Sequence, residues 1–222
     1  MIPHLLLGKI PLFCELIPSD LDSIASLLIE RHYKKGLSIF MEGDTGDELY
    51  IIKSGSVKIY RFNGAKEIIL AIFRVGDFFG EMASIRKDQI RSASAETLEP
   101  TILYVLKRSD LERLLEAHPR LTLKLLDISM NRLQKTNEQI QDLTFLDVRT
   151  RIKKLLVRLS QEHGVQQDNG VLIDLKLTHK QIADMVGSVR ETVTKVLLEL
   201  QDEDNIVIDK KKILLIEIKR PL

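Results

Sequence analysis

The stretch "FGEMASIRKDQIRSASA", residues 79–95, sets a glycine–acid pair, Gly80-Glu81, eleven residues ahead of Arg91-Ser92. Arginine offers a planar fork of donors to phosphate or carboxylate oxygens, and serine adds a hydroxyl donor. Glutamate accepts from a sugar-type hydroxyl, and backbone N–H groups near Ala83 and Ser84 can join an anion. A ribose phosphate satisfies that inventory. An internal salt bridge between Glu81 and Arg91, closing a loop, satisfies the same spacing.

A second set of reactive types lies in "LTHKQIADMVGSVRETVTKVLLELQDED", residues 177–204. Thr178 with Gln181 has capping-box spacing, Ile182, Met185 and Val186 form an apolar face, and Gly187 stops the helix. The next helix turns Val193, Val196, Leu197 and Leu200 inward and presents Arg190, Glu191, Thr194 and Lys195 on its other face. In a helix-turn-helix that face enters the major groove, where Arg or Lys bonds guanine O6 and N7 and Glu accepts from cytosine N4. Ser188 and Glu191 also have capping-box spacing, so Glu191 is either a cap or a base reader. "IVIDKKKILLIEI" adds a hairpin whose lysine turn, Lys210 to Lys212, suits phosphate contact or a solvated tip. Helix, glycine turn, helix and basic hairpin in that order predict a winged helix-turn-helix with double-stranded DNA as partner. Its candidate contacts are Thr178, Ser188, Arg190, Glu191, Thr194, Lys195 and Lys211.

The elements that must carry these two sets differ in period. From about Lys34 to Lys107, short strands alternate with turns at Gly36, Gly43, Gly46, Gly55, Gly64, Gly76 and Gly80, which predicts an antiparallel β-roll. Glu42 and Asp44 beside these glycines read as turn formers. An amphipathic helix is predicted over Asp20–Glu30, and Ser109 is the expected N-cap of a short helix that His118-Pro119 interrupts. A longer helix is predicted from Pro119. Along it Leu126, Ser129, Leu133, Thr136, Ile140 and Leu143 follow a heptad spacing, which predicts a parallel homodimer, the alternative being a helix lying on its own domain. A hinge is expected between Asp142 and Asp147. From Phe145 onward Val148, Ile152, Leu155, Leu156 and Leu159 open a new core, with Gly164 as the stop. The expected fold is α+β: a β-roll effector domain over 1–117, a dimerisation helix over 118–144 and a winged helix-turn-helix over 145–222.

Composition narrows the class. The chain has 222 residues, 44% hydrophobic and 29% charged, enough for one good core or two modest ones. Charge breaks every apolar run before the roughly 18 residues of a membrane span, and "MIPHLLLGKIPLF" lacks the features of a signal peptide, so a cytoplasmic protein without membrane contact is expected. Cys14 is the single cysteine, which excludes an internal disulfide and a cysteine metal cluster; a small buried hydrophobe is its expected role. Net charge of +1 means that nucleic-acid binding must rest on a local surface. No nucleophile elbow, P-loop, dinucleotide fingerprint or metal-spaced His/Cys set is present, so neither catalysis, a metal nor a resident cofactor is expected.

Over essentially its full length the chain resembles the Crp/Fnr transcription regulators, and within them the cyclic-AMP receptor group. The residues that carry the resemblance are "EGD" at 42–44, "SGSVKIY" at 54–60, "GDFFGEM" at 76–82, "RSA" at 91–93, "RLQKTN" at 132–137, "FLDV" at 145–148 and "VGSVRETV" at 186–193. The resemblance implies a cyclic-nucleotide-binding roll in which Glu81 takes the ribose 2′-hydroxyl of cyclic AMP, Arg91 and Ser92 hold its phosphate, and Gly80 and Met82 shape the cassette. Thr136 would reach the adenine amino group, joined by Asn137 of the partner subunit, where serine is common in the family. It further implies that Arg190 and Glu191 read bases. Lys195 replaces a common arginine and loses its fork, and Val189 replaces a common serine cap and leaves Ser188 to cap. RNA polymerase is the implied further partner.

Relatives that sense other effectors set the alternatives. Sensing 2-oxoglutarate would use Arg91 and Arg132 for two carboxylates, which Glu81 would repel. Haem would depend on His4, Cys14 or His32, and the lack of a cysteine cluster argues against iron–sulfur. A regulator active without effector remains open. So does a cyclic-nucleotide module serving a system other than DNA, which would leave the helix-turn-helix unused.

Overall fold

The computed structural model describes residues 7–8, 10–64, 66–85 and 90–216. Backbone contacts divide the chain into two compact units, Met1–Asn63 with Ile69–Lys135 and Gly64–Ile68 with Thr136–Leu222.

The roll is built from two four-stranded sheets. One contains β1 (Ile29–Tyr33), β3 (Glu48–Ser54), β6 (Phe78–Phe79) and β8 (Thr101–Lys107) in the order β1-β8-β3-β6. The other contains β2 (Ser38–Phe40), β4 (Ser56–Asn63), β5 (Lys66–Arg74) and β7 (Ser94–Thr97) in the order β2-β7-β4-β5. β3 and β8 read as near-continuous apolar runs because both of their faces are covered. Tyr50, Ile52, Leu103 and Val105 join Val57, Phe79 and Ala95 on one face. Leu49, Ile51, Tyr104 and Leu106 point the other way, into a cluster with Leu21, Ile24, Leu111, Leu114, Leu121 and Leu125.

Those last residues come from α1 (Pro18–Leu27), α3 (Arg108–Ala117) and α4 (Pro119–Phe145); α2 (Glu81–Ile85) is a short turn of helix after β6. The first helix stops short of the expected Glu30: Leu28 is already extended, and Ile29 and Glu30 pair with Val105 and Tyr104. Ser109 is not the cap of α3, because the strand leaves through an extended Lys107 and the helix starts at Arg108 with no side-chain cap. The break at His118 and the start of α4 at Pro119 are as expected. Cys14 is exposed, with Sγ 3.2 Å from the Pro11 carbonyl, whereas Leu12 and Phe13 beside it fill the core. It is not the buried hydrophobe expected of it.

In the second unit α5 (Val148–His163) is capped by Asp147, whose Oδ1 accepts from Thr150 N at 2.7 Å, and it buries Ile152, Leu155, Leu156 and Leu159. α6 (His179–Val186) and α7 (Arg190–Asp202) come after it. An antiparallel sheet of β9 (Gly164–Gln167), β10 (Gly170–Ile173), β11 (Ile206–Asp209) and β12 (Lys212–Ile216) runs in the order β11-β12-β10-β9. The hairpin of β9 and β10 is not among the elements expected from the sequence. Among the described residues no helix is long and apolar enough to cross a membrane, and no cluster of His, Cys, Asp and Glu could hold a metal.

Candidate functional site

The β6 strand delivers the chain to Gly80, whose φ of +86° turns it into α2. A Cβ at that position would lie 2.8 Å from Arg91 Nη1 and 3.0 Å from the Glu48 carbonyl oxygen, so close approach as well as backbone conformation demands glycine. Arg91 reaches back into this corner and is only 4% exposed. Its Nη1 donates to Gly80 O at 2.9 Å and its Nη2 to Glu48 O at 3.0 Å. The guanidinium lies 4.3 Å from the Phe40 ring centre and 5.5 Å from that of Tyr50. Gly46 opens the remaining side, since a Cβ there would stand 2.0 Å from Nε.

Arg91 Nε is buried and has no acceptor among the described residues. Burial pushes the Arg91 pKa down from its ordinary value, opposed by Tyr50, Glu48, Asp47 and Glu81 nearby. A charged donor left unmatched in the interior is destabilising, and an anion is the partner that would complete it.

Glu48 supports the arrangement from below. Its carboxylate accepts from both terminal nitrogens of Arg31, at 2.8 and 2.5 Å, and from Tyr50 Oη at 2.7 Å. Burial raises the Glu48 pKa, but the bonds from Arg31 and Tyr50 outweigh it and hold the group below the usual carboxylate value. Burial, and then the bond to Glu48, push the Tyr50 hydroxyl up. Sequence reasoning missed Arg31, Phe40, Glu48 and Tyr50. The one available signal was an acid opening the apolar run "ELYII", which demands a partner if buried.

Glu81 does not pair with Arg91, so the loop-closing salt bridge is not formed. It meets Arg132 of α4 instead, with 3.1 Å between Oε1 and Nη1. Arg132 Nη2 also donates to Phe78 O at 2.6 Å, and its guanidinium stacks on Phe73 and Phe78 at 4.6 and 4.5 Å. Ser84 spends both its N–H and its hydroxyl on Gly80 O, at 3.4 and 3.2 Å. Ser92 is exposed, its hydroxyl 3.5 Å from the sulfur of an exposed Met82. The structure thus gathers Gly80, Glu81, Met82, Arg91, Ser92 and Arg132 in the first unit. Thr136 and Asn137 are exposed on α4 beyond Lys135, in the second unit.

In the helix-turn-helix the capping box of Thr178 and Gln181 is complete, and Gly187 adopts the left-handed conformation at φ +66°. The Thr178 hydroxyl is therefore engaged in the cap. α7 has Val189 as its N-cap, with no side-chain cap bond. Ser188 lies one residue before that cap, its N–H closing the glycine turn onto Ala183 O at 3.0 Å. Glu191 has no capping role and lies exposed with Arg190 and Lys195. Thr194 is less available than expected: its hydroxyl donates to Arg190 O and contacts His179 Nδ1, both at 2.9 Å. Lys210 and Lys211 take positive φ at the β11–β12 turn, which leaves Lys211 exposed at its tip.

Residues 30–118 match the cyclic nucleotide-binding domain family, and residues 150–221 match the Crp-like helix-turn-helix domain family. The chain is similar to the CRP-like cAMP-activated global transcriptional regulator of Mycobacterium tuberculosis, 33% identical over 97% of this chain and 96% of that protein. It is 34% identical to the cyclic AMP receptor protein of Thermus thermophilus over 87% of this chain and 86% of that protein. The solved structure of the c-di-GMP responsive global regulator CLP of Xanthomonas campestris superposes with a TM-score of 0.78 at 26% identity, covering 90% of this chain and 99% of that one.

Proposed function

The chain belongs to the Crp/Fnr family of DNA-binding transcription regulators, and from that premise we propose that it is a homodimer whose hold on double-stranded operator DNA is gated by cyclic AMP. The observation that carries this reading is the buried Arg91, with a donor left over beside Glu81. A cyclic phosphate supplies the missing acceptor, and Ser92 is close by to add a hydroxyl. The ribose 2′-hydroxyl donates to Glu81, whose other partner is Arg132 of α4. A ligand hydroxyl at that carboxylate acts on the group that holds the helix, which is how effector occupancy would shift a two-state equilibrium. Thr136 and Asn137 are assigned to the adenine.

The homodimer is supported by Leu126, Leu133, Ile140 and Leu143, which are 51–57% exposed along the heptad seam of α4. The division into an effector roll (1–117), dimer helix (118–144) and DNA-binding unit (145–222) belongs to the same proposal, as do a cytoplasmic location and RNA polymerase as partner. The dicarboxylate reading is disfavoured because Arg132 is committed to Glu81 and Phe78 O, and 2-oxoglutarate would have to displace a carboxylate to reach it.

The test is calorimetric titration of nucleotide-stripped protein with cyclic AMP, with Arg91→Ala alongside and 2-oxoglutarate as a second titrant. Saturable binding near one cyclic AMP per subunit, lost in Arg91→Ala, is the expected outcome. Absence of heat with cyclic AMP together with saturable 2-oxoglutarate binding would overturn the effector assignment and leave the DNA-binding regulator intact.

A further inference from the structure

His179 is the first residue of α6 and is only half-buried. Its Nδ1 lies 2.9 Å from Thr194 Oγ1, and Thr194 donates to the Arg190 carbonyl at 2.9 Å. A hydroxyl has one proton to give. With that proton on Arg190 O, Thr194 accepts at the imidazole and Nδ1 carries a hydrogen. In that arrangement Nε2 is the nitrogen whose state changes, an acceptor in the neutral ring and a donor in the charged one.

His179 lines an open cleft of about 500 Å³ with Thr178, Lys180, Arg190 and Lys211. Three cations line it beside the apolar side chains of Leu177, Ile182, Ile208 and Ile213. Lys180 comes from α6 and also pairs with Asp184, Arg190 comes from α7, and Lys211 comes from the β11–β12 turn. Among the described residues no carboxylate lines this cleft. A cationic cleft between the first turn of the leading helix, the recognition helix and the wing has the chemistry of a phosphodiester site.

We propose that His179 is a proton-linked DNA contact: a backbone phosphate seated in this cleft is met by Nε2–H of the protonated ring, so DNA binding takes up a proton at each subunit. The proposal rests on the DNA-binding role of this unit and is independent of which effector the roll takes. Thr194 serves it as a positioning residue, holding Nδ1 so that Nε2 is presented. A neighbouring phosphate favours the charged imidazole. Proton uptake on binding therefore makes DNA affinity fall as pH rises, by up to about tenfold per pH unit for each proton taken up.

Phosphate contacts need no operator. Fluorescence anisotropy of a labelled, mixed-sequence duplex of roughly 40 base pairs, long enough for both half-sites, would be measured with the full-length protein at fixed ionic strength between about pH 6 and about pH 8. The wild type is expected to bind at least about tenfold more weakly at the upper pH. His179→Arg should bind tightly at both, and His179→Gln weakly at both, with unchanged circular dichroism. An NMR titration of the His179 ring should show its midpoint rising when the duplex is added. A wild-type slope retained in His179→Gln, or a ring midpoint unmoved by DNA, would overturn the proposal.

Discussion

Arg91 shows how one side chain ties stability to binding. Its fork is satisfied by two backbone carbonyls, and one of these belongs to Glu48, whose side chain is itself held by Arg31 and Tyr50. The position of the proposed anion site therefore depends on a carboxylate outside it. Because the folded-state pKa of Glu48 is depressed, the stability it contributes is present above the unfolded carboxyl value of about 4.3 and is lost as pH falls through the lower folded value. The expected outcome is that the urea midpoint of the wild type drops between about pH 5 and about pH 3. In Glu48→Gln, which is weaker at the upper pH, the midpoint should change less, so that the two proteins converge in acid. Chemical denaturation at the two pH values checks this, and parallel lines would show that Glu48 is not the titrating group. Such support was invisible in the sequence because Arg31 and Glu48 are 17 residues apart on β1 and β3, which lie on either side of β8, and no spacing rule joins them. The eleven-residue step from Gly80-Glu81 to Arg91-Ser92 is a short-range pattern that a sequence displays, whereas Arg132 was visible only as a candidate carboxylate ligand and its bond to Glu81 was not.

At the scale of elements, the legible features were those set by a hydrophobic period or by a helix terminator. α4 begins at its proline, α6 ends at its left-handed glycine, and the buried residues of α5 and α7 are those that a 3.6-residue repeat selects. Caps misled where two patterns overlapped. Ser188 and Glu191 had capping-box spacing, yet the helix starts one residue later behind Val189, because Ser188 is used to close the glycine turn. The hairpin of β9 and β10 escaped because its first strand is exposed throughout and has no apolar alternation to read. The exposed seam of α4 gives the element-scale prediction. Leu133 lies at its middle, 53% exposed in the single chain. In the proposed homodimer, Leu133→Glu would remove an apolar contact on each helix and set two carboxylates against one another. The dimer dissociation constant should rise by at least about a hundredfold, read by sedimentation equilibrium, with the helical content of the monomer unchanged. A dimer of wild-type affinity would place the interface elsewhere.

At the scale of the whole molecule, the proposed gating turns on how a ligand in the roll would change the grip on DNA. α4 is continuous from Pro119 to Phe145 and passes through the boundary between the units at Lys135 and Thr136. It carries Arg132, bound to the cassette acid, on one side of that boundary, and the seam residues Ile140 and Leu143 on the other. A ligand that binds only the arrangement matched to successive major grooves, about 34 Å apart, must tighten DNA binding by the same factor by which DNA tightens ligand binding, because both describe one thermodynamic cycle. The expected factor is on the order of 5 to 150. It would be measured once as the ratio of DNA dissociation constants without and with saturating cyclic AMP, and again as the ratio of cyclic AMP dissociation constants without and with operator. Arg132→Ala, which keeps Arg91 and Ser92 for the phosphate but frees α4 from Glu81, should leave cyclic AMP binding measurable while bringing both ratios toward one. Equal ratios in the wild type that collapse together in Arg132→Ala identify the Glu81–Arg132 pair as the link between effector and helix. A variant whose two ratios stay at the wild-type value would show that the coupling runs through other residues.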